Sequence, residues 1–468
     1  MYKELTNDQE NIAELLALVT QLAQQRFQNI DNIPAAAKPQ KVKNYPLPLE
    51  GLGTTAVLEK FKTEYQHLMC GSSGPRYWGY VTGGATPASV LGDWLATMFD
   101  QNTQSVQGRG DVSAIIEKET IQLLLDFFEL PTHFFGGFVT GATMSNFTCL
   151  GVARQWIGKN QNYDIARTGV QKLIQIAAGL PHSSVIKGIA MLGMGSANIH
   201  KIPLLEDREA IDVDKLEAFL KQQTSGEVIV LSSAGTVNSV DFDDLKAISA
   251  LKETYNFWWH IDAAFGGMVA CVEDKKHLVA GWEKADSITV DCHKWFNVPY
   301  DSALFFIQEK HQKRQIETYQ NSNAPYLGNP MENFSYLNFL PENSRRFRAL
   351  PVWFSLMAYG KKGYQEIVKR NINLADQLTT YIKASIHFEL VAPTRVNVVC
   401  FKLVNFSQEI QNLFLQTLNS RRKIFITPSL YKGEACFRAA FVNWQTTQKD
   451  IAIAIEELEA TYQIIKTR

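Results

Sequence analysis

Short segments that are almost entirely apolar recur through this chain and constrain its fold more than any other feature. They lie at 137–140, 189–192, 228–231, 257–261, 287–290 and 303–307, and they alternate with stretches of helical periodicity. A strand that is apolar at successive positions is buried on both faces, which is typical of a mostly parallel sheet covered by helices. The pattern predicts an α/β protein that binds its ligand at the carboxyl ends of the strands.

Two of these segments end in residues of complementary chemistry. The segment His260-Ile-Asp-Ala-Ala-Phe-Gly-Gly contains Asp262, and the later segment Ser287-Ile-Thr-Val-Asp-Cys-His-Lys-Trp contains Lys294. A lysine amine can hold pyridoxal phosphate (PLP) as a Schiff base. A carboxylate keeps the pyridine nitrogen protonated because an opposite charge favours the charged form. The two residues together predict a PLP site.

Three further motifs could complete such a site. Gly136-Gly-Phe-Val-Thr-Gly-Ala-Thr has the order strand, small-residue turn, helix start, which offers free backbone N–H groups to a phosphate. Pro181-His-Ser-Ser-Val could place a histidine flat on a pyridine ring, and the turn after Ser232 could bring Thr236 to the ring edge. Each motif alone also fits an ordinary turn or a structural histidine, so their combination carries the prediction.

In order and spacing, these motifs resemble the group II PLP-dependent decarboxylases, the family of aromatic-L-amino-acid, histidine and glutamate decarboxylases. The resemblance runs from about residue 55 to the C-terminus and is that of a bacterial-type member. It implies the fold-type I architecture: a large domain with a mostly parallel seven-stranded sheet, a smaller C-terminal α/β domain and an N-terminal helical arm. It also implies a homodimer with shared active sites and a small amino-acid substrate.

The resemblance assigns roles residue by residue. Lys294 would carry the cofactor, Asp262 would pair with the pyridine nitrogen, and His182 would stack on the ring and contact the substrate carboxylate. Ala264 would pack beneath the ring, and Thr236 would lie near its substituents. The phosphate contacts would come from Ala142, Thr143 and His293. One departure stands out, because family members often carry Asn at the position of Asp291. A negative charge there is tolerated beside a phosphate only if it turns away or bonds through water.

A residue in the long loop after the lysine favours decarboxylation. Ala324-Pro-Tyr-Leu resembles the family segment whose tyrosine protonates the substrate carbon after CO2 leaves, so Tyr326 is the candidate general acid. Aldehyde-forming relatives tend to carry Phe at this position. An aminotransferase, or another carbon–carbon lyase acting on an amino acid, stays open because fold does not decide the reaction. Arg438 could hold an α-carboxylate in an aminotransferase.

The segment Pro75-Arg-Tyr-Trp-Gly-Tyr resembles the stretch that lines the substrate pocket in this family. Tyr77, Trp78 and Tyr80 would form an aromatic wall, which favours an aromatic or bulky L-amino acid. Arg76 would instead favour an acidic side chain.

Periodicity and composition suggest three units. Residues 1–85 would form a helical arm that packs on a partner subunit, 86–355 the large PLP-binding domain, and 356–468 the small domain. The arm contains a helical pattern over 8–27 and a connector rich in proline, lysine and glycine.

The charge and cysteine content narrow the function classes. A formal net charge of −1 without runs of like charge argues against nucleic acid or an anionic membrane as a partner. No stretch is apolar enough to predict a membrane span, and the N-terminus lacks the core of a signal peptide. The six cysteines are scattered and form no CxxC pair, which predicts reduced thiols in a cytoplasmic protein and no metal site.

Overall fold

The computed structural model describes residues 1–106, 112–223, 227–320 and 334–467. Its helices are α1 (Lys3–Glu10), α2 (Ile12–Gln28), α3 (Thr54–Glu64), α4 (Pro87–Phe99), α5 (Ser113–Phe127), α6 (Ala142–Asn160), α7 (Ile165–Thr168), α8 (Ser183–Met191), α9 (Val213–Gln222), α10 (Leu245–Leu251), α11 (Gln312–Tyr319), α12 (Ala349–Ala384), α13 (Gln408–Ser420) and α14 (Gln448–Lys466). Its strands are β1 (Phe134–Val139), β2 (Gln175–Ala178), β3 (Ile199–Lys201), β4 (Val228–Ser233), β5 (Phe257–Asp262), β6 (Ser287–Asp291), β7 (Ala303–Gln308), β8 (Phe388–Leu390), β9 (Val398–Leu403), β10 (Thr427–Tyr431) and β11 (Glu434–Ala440).

The large sheet has seven strands in the order β1-β7-β6-β5-β4-β2-β3. Strand β7 is antiparallel to both of its neighbours, and the pairings from β6 to β3 are parallel. Every residue of β1, β5, β6 and β7 is buried, because helices cover both faces of the sheet. The predicted mostly parallel sheet is confirmed.

One predicted strand is wrong. Residues 189–191 belong to helix α8, and Val185 and Ile189 face the core from it at helical spacing. The shorter strands β2 and β3 follow β4 in the sheet instead of the predicted strand. A short apolar run cannot be assigned to helix or strand by periodicity alone, since both would bury it.

The smaller sheet is antiparallel, in the order β10-β11-β9-β8, and it packs with α13, α14 and the second part of α12. Helix α12 has a break at Gly360, whose φ of 59° lies in the left-handed region that glycine adopts most readily. The break falls a few residues after the predicted boundary at 355/356, which stays a prediction.

The N-terminal arm exposes apolar side chains in the single chain. The predicted helix at 8–27 is two helices, and neither α1, α2 nor α3 has a buried residue. Leu16 is 60% exposed and Phe27 47%. Packing of the arm on a partner stays a prediction. In the described ranges, no helix combines the length and apolarity that crossing a membrane requires.

Candidate active site

The predicted site residues meet at the carboxyl ends of neighbouring strands. Asp262 ends β5 and Asp291 ends β6, and the register places Asp262 beside Thr289 of β6 and Ser233 of β4. Lys294 follows three residues after β6. The parallel topology therefore gathers these side chains at one edge of the sheet, as the sequence predicts.

The carboxylate of Asp262 is buried and held by two donors. Its Oδ1 accepts the backbone N–H of Ala264 at 3.1 Å, and its Oδ2 accepts Nδ2 of Asn146 at 3.1 Å. Asp262 is 8% exposed. These contacts fix the direction of the carboxylate, as a residue that must face one edge of a pyridine ring requires.

Asp291 lies at the centre of the lysine segment and does not turn away. Its Oδ2 is 3.5 Å from Nζ of Lys294 and accepts the backbone N–H of Ala142 at 3.3 Å. Its Oδ1 lies 3.0 Å from Nε2 of His293, outside hydrogen-bonding geometry. Asp291 is 2% exposed. Asp291, the residue at which this chain departs from the family pattern, therefore connects Lys294 to the N-terminus of α6.

The N-terminus of α6 has the chemistry of an anion site. Its N-cap residue Gly141 has no capping side chain, its first turn carries no acidic residue, and the N–H of Ala142 is accepted by Asp291. The turn also approaches His293 closely, since a Cβ on Gly141 would lie 3.3 Å from the imidazole. The remaining N–H groups of the first turn and the helix dipole favour a phosphate here. This arrangement fits PLP, and the individual contacts of Ala142, Thr143 and His293 stay predictions.

His293 is fixed by its surroundings. Its Nδ1 accepts the backbone N–H of Ser302 at 3.2 Å, and its ring packs on Tyr300 at 4.2 Å between centroids. Burial lowers the pKa of His293, against the opposing effect of Asp291. The ring is therefore favoured in its neutral form.

His182 begins helix α8 as its N-cap. Its Nδ1 lies 2.8 Å from Oγ of Ser184 and accepts the backbone N–H of Ser184 at 3.2 Å. Desolvation by the surrounding protein lowers the pKa of His182, although the residue is exposed in the single chain. Asp262 opposes this effect, and Lys294 and Arg438 add to it. The ring thus shares an electrostatic environment with the aspartate and the lysine, and its stacking on a cofactor stays a prediction.

Thr236 and Ala264 occupy different settings. The hydroxyl of Thr236 donates to Oε2 of Glu209 at 2.6 Å and accepts the backbone N–H of Asp241 at 3.0 Å, so both of its hydrogen-bonding roles are occupied within the protein. Ala264 accepts the backbone N–H of Asp291 at 2.8 Å and lies between the two aspartates, where a small side chain leaves room. Contact of either residue with a ring stays a prediction.

The three predicted pocket aromatics separate in the structure. Tyr77 stacks on Phe425 with ring centroids 4.7 Å apart, and burial raises the pKa of Tyr77 to about 12. Tyr80 packs against the same ring with centroids 5.9 Å apart, and it is 61% exposed. Trp78 instead packs in the core of the small domain, is 1% exposed and donates its indole N–H to Pro75. Trp78 therefore does not line an open pocket.

Two arginines near this segment are engaged by the protein. Arg76 pairs with Asp450 at 2.8 Å, so it is not free to bind a substrate carboxylate. Arg438 is buried, and its two Nη atoms donate to the carbonyls of Val237 and Tyr80 at 3.2 and 2.9 Å. Its Nε has no partner among the described residues, and burial lowers its pKa.

Sequence reasoning missed three residues that shape the site. Asn146 and Ser184 are buried and bond to Asp262 and His182 respectively, while Tyr300 covers His293. Ser184 lies inside a motif already quoted for the site, and Asn146 lies three residues after another. A polar residue in the buried part of an otherwise small or apolar helix start is the signal that could have identified them.

Tyr326 lies outside the described residues, so its role stays a prediction. In the part of the chain that the structure describes, no cluster of histidine, cysteine and acidic side chains could hold a metal ion.

Comparisons with known proteins agree with this geometry. The sequence model of the pyridoxal-dependent decarboxylase conserved domain matches residues 39–404. An aromatic-L-amino-acid decarboxylase of Bacillus atrophaeus is 26% identical over 82% of this chain and 81% of its own length. A 3,4-dihydroxyphenylacetaldehyde synthase of Drosophila melanogaster is also 26% identical, over 82% of this chain and 78% of its own.

A solved structure supports the fold. The crystal structure of Oryza sativa TDC with PLP and tryptamine superposes with a TM-score of 0.88 at 19% identity, and the match covers 97% of this chain and 98% of that one. At this identity the likeness concerns the architecture, and the family follows from the domain match over most of the chain. This chain belongs to the pyridoxal-dependent decarboxylase family and is a PLP-dependent amino-acid decarboxylase.

Proposed function

We propose that the amino acid decarboxylated by this enzyme has an aromatic side chain. The observation that carries the proposal is the aromatic surface of Tyr77, Tyr80 and Phe425 beside the lysine segment. The same loop continues across the backbone of Lys294, because a Cβ placed on Gly83 would lie 1.7 Å from the Lys294 carbonyl oxygen. A side chain bound near Lys294 would therefore meet aromatic rings, which favour flat apolar groups.

The cations near this stretch argue against an acidic substrate. A side-chain carboxylate needs a free cation or several donors to replace its hydration. Arg76 is neutralised by Asp450, and the two Nη atoms of Arg438 are taken by backbone carbonyls. The activity in the name of the Bacillus atrophaeus relative points in the same direction.

Each residue of the site would have its own role in the reaction. PLP, when bound, supplies an electron sink for the pair of electrons left on the substrate carbon. Lys294 would hold the cofactor, Asp262 would face its ring nitrogen, and His182 would cover the ring and orient the substrate carboxylate. We propose that Tyr326 delivers a proton to the substrate carbon after CO2 leaves. The α6 N-terminus would bind the phosphate through Ala142 and Thr143, with His293 and Asp291 beside it.

The test is a substrate screen on the purified, PLP-loaded enzyme. We expect CO2 and the matching amine from L-tryptophan, L-tyrosine, L-phenylalanine or L-3,4-dihydroxyphenylalanine, and little from L-glutamate or L-aspartate. Lys294→Ala should abolish turnover, whereas the control Lys215→Ala, an exposed lysine of α9, should not. A preference for an acidic amino acid would overturn the proposal.

A second outcome, aldehyde formation, is favoured by one relative. The Drosophila melanogaster protein is named an aldehyde synthase and is as similar to this chain as the Bacillus decarboxylase. The presence of Tyr326 favours the amine. Aldehyde and hydrogen peroxide should therefore be assayed together with amine and CO2, and aldehyde as the main product would assign the second activity.

We also propose that the enzyme works as a homodimer with shared active sites. Helices α2 and α4 expose apolar side chains and border a groove of about 510 Å³ lined by Phe27, Leu91, Trp94 and Trp444. Leu91 is 57% exposed and Trp94 42%, which is costly in water. Light scattering after size exclusion should give twice the chain mass of 52.7 kDa. A stable monomer with full activity would contradict the proposal.

A cytoplasmic location is the remaining proposal. The six cysteines are free thiols, and five of them are buried, which is typical of a reducing compartment. Fractionation of the source cells should place the decarboxylase activity with cytoplasmic markers, and recovery with secreted proteins would contradict this.

A further inference from the structure

We infer that Asn146 and Ser184 are positioning residues that fix the proton of His182 on its Nε2 atom. Both side chains belong to a continuous hydrogen-bonded chain of buried groups that runs from the core of the large sheet to His182. The donors and acceptors in this chain can be assigned one after another, starting from Asp262.

Asp262 decides the orientation of Asn146. A carboxylate oxygen only accepts hydrogen bonds, so the atom of Asn146 that lies 3.1 Å from it must be the amide nitrogen. The amide oxygen then faces Nε2 of His260 at 2.9 Å, and this nitrogen must carry a proton. Nδ1 of His260 accepts from Ser287 at 2.9 Å, while the Ser287 hydroxyl accepts the indole N–H of Trp258 at 3.0 Å.

The second amide proton of Asn146 fixes the hydrogen-bonding role of the Ser184 hydroxyl in the same way. It points to Oγ of Ser184 at 3.1 Å, so this hydroxyl accepts there and is free to donate its own proton elsewhere. The neighbour within reach is Nδ1 of His182 at 2.8 Å, and the backbone N–H of Ser184 points to the same atom at 3.2 Å. Two donors at Nδ1 leave no room for a proton on it. The neutral ring therefore carries its proton on Nε2.

Burial makes this assignment firm. Asn146 and His260 are fully buried and Ser184 is 8% exposed, so a mismatched donor or acceptor could not be satisfied by water. Protonating Nδ1 would also place a positive charge at the N-terminus of α8, near Lys294 and Arg438, with Asp262 as the opposing charge.

The consequence concerns the chemistry available to His182. In the part of the chain that the structure describes, no group bonds to its Nε2, so this atom is the free end of the ring. With the proton there, His182 can donate a hydrogen bond to a substrate oxygen, and it cannot act as a base through Nε2. This last step rests on the proposed role of His182 beside the substrate, whereas the position of the proton does not.

The direct test is nitrogen-15 NMR of the cofactor-free protein labelled at histidine. The His182 signals can be identified by their loss in His182→Asn. At neutral pH we expect a pyrrole-like shift for Nε2 and a pyridine-like shift for Nδ1. In Ser184→Ala and Asn146→Ala the two shifts should move towards each other. A protonated Nδ1 in the unaltered protein, or unchanged shifts in both variants, would overturn the inference.

Kinetics give a second readout if a substrate is found. Ser184→Ala should lower kcat/KM about tenfold and move the acid limb of its pH profile to higher pH, because Nδ1 loses one donor. Ser184→Thr, which keeps the hydroxyl, should restore the profile. The matched control is Ser183→Ala, an exposed neighbour on the same turn, which should have no effect. Equal loss in Ser184→Thr and Ser184→Ala would contradict the role of the hydroxyl. If no amino acid is decarboxylated, the proposed function fails, and the NMR result still decides the proton position.

Discussion

The buried histidine of strand β5 should make this protein sensitive to mild acid. Burial lowers the pKa of His260 from 6.5 to about 4, against the opposing effect of Asp262. Between these two pH values the unfolded chain binds a proton at this position and the folded chain does not. The free energy of unfolding therefore decreases as the pH falls from about 6.5 to 4.

The size of the effect follows from the pKa difference. Each pH unit across that window contributes about 1.4 kcal/mol, so His260 alone should account for roughly 3 kcal/mol between neutral pH and pH 4. This is a large part of the stability of an ordinary folded protein. Protonation would also put a second proton where Nδ1 accepts from Ser287, which breaks the hydrogen-bonded chain that reaches Asn146.

The assay is urea unfolding of the cofactor-free protein at pH 7 and pH 4.5, followed by tryptophan fluorescence. The neighbouring Trp258 and Trp259 are buried and report on the sheet. His260→Gln keeps a donor near Asn146 and removes the titration. We expect this variant to lose about 1 kcal/mol at pH 7 through its altered hydrogen bonds, and to lose roughly 2 kcal/mol less than the unaltered protein on acidification.

Comparison of the two proteins is needed because other groups titrate in the same range. The pKa values of His182, His293 and His311 are also lowered by burial, while burial raises that of Asp243 to about 7. These groups are common to both proteins, so their effects cancel in the difference. An identical pH dependence of stability in His260→Gln would refute the reasoning.

Three further outcomes follow from the structure. Asp291→Asn should raise the affinity of the apoprotein for PLP about tenfold, because it removes a negative charge that lies beside the predicted phosphate turn and is the counter-ion of Lys294. Fluorescence titration with PLP measures this affinity, and weaker binding by the variant would contradict the prediction. Glu117→Gln should reduce the free energy of unfolding by about 3–5 kcal/mol, because Glu117 and Arg345 form a salt bridge at 2.9 Å whose side chains are 0% and 1% exposed. Urea unfolding at pH 7 measures this loss, and an unchanged free energy of unfolding would contradict the prediction. Tyr326→Phe should lower amine formation and release aldehyde, and unchanged amine with no aldehyde would remove Tyr326 from the proposed chemistry.

Much of the site chemistry could be predicted from local sequence. Asp262 ends one buried apolar strand and Lys294 lies three residues after another, and parallel strands bring their carboxyl ends to one edge, so their proximity follows from the pattern. The predicted anion-binding turn before α6 is likewise a local property of a strand, small residues and a helix start. The strand at 189–192 failed for the opposite reason, because a short apolar run suits helix and strand equally.

The sequence by itself determined which chemical groups this protein offers and the sheet edge at which they gather, because both depend on residue type and on periodicity along the chain. The tertiary structure decided which way the side chains face and what they bond to. Arg76 meets Asp450, which lies 374 residues away, and Asn146 reaches both Asp262 and Ser184 from a separate helix. Trp78 turns into the small-domain core, and Asp291 joins the lysine to α6. Partners so distant in sequence leave no local pattern, so only the packing of the folded chain selects them.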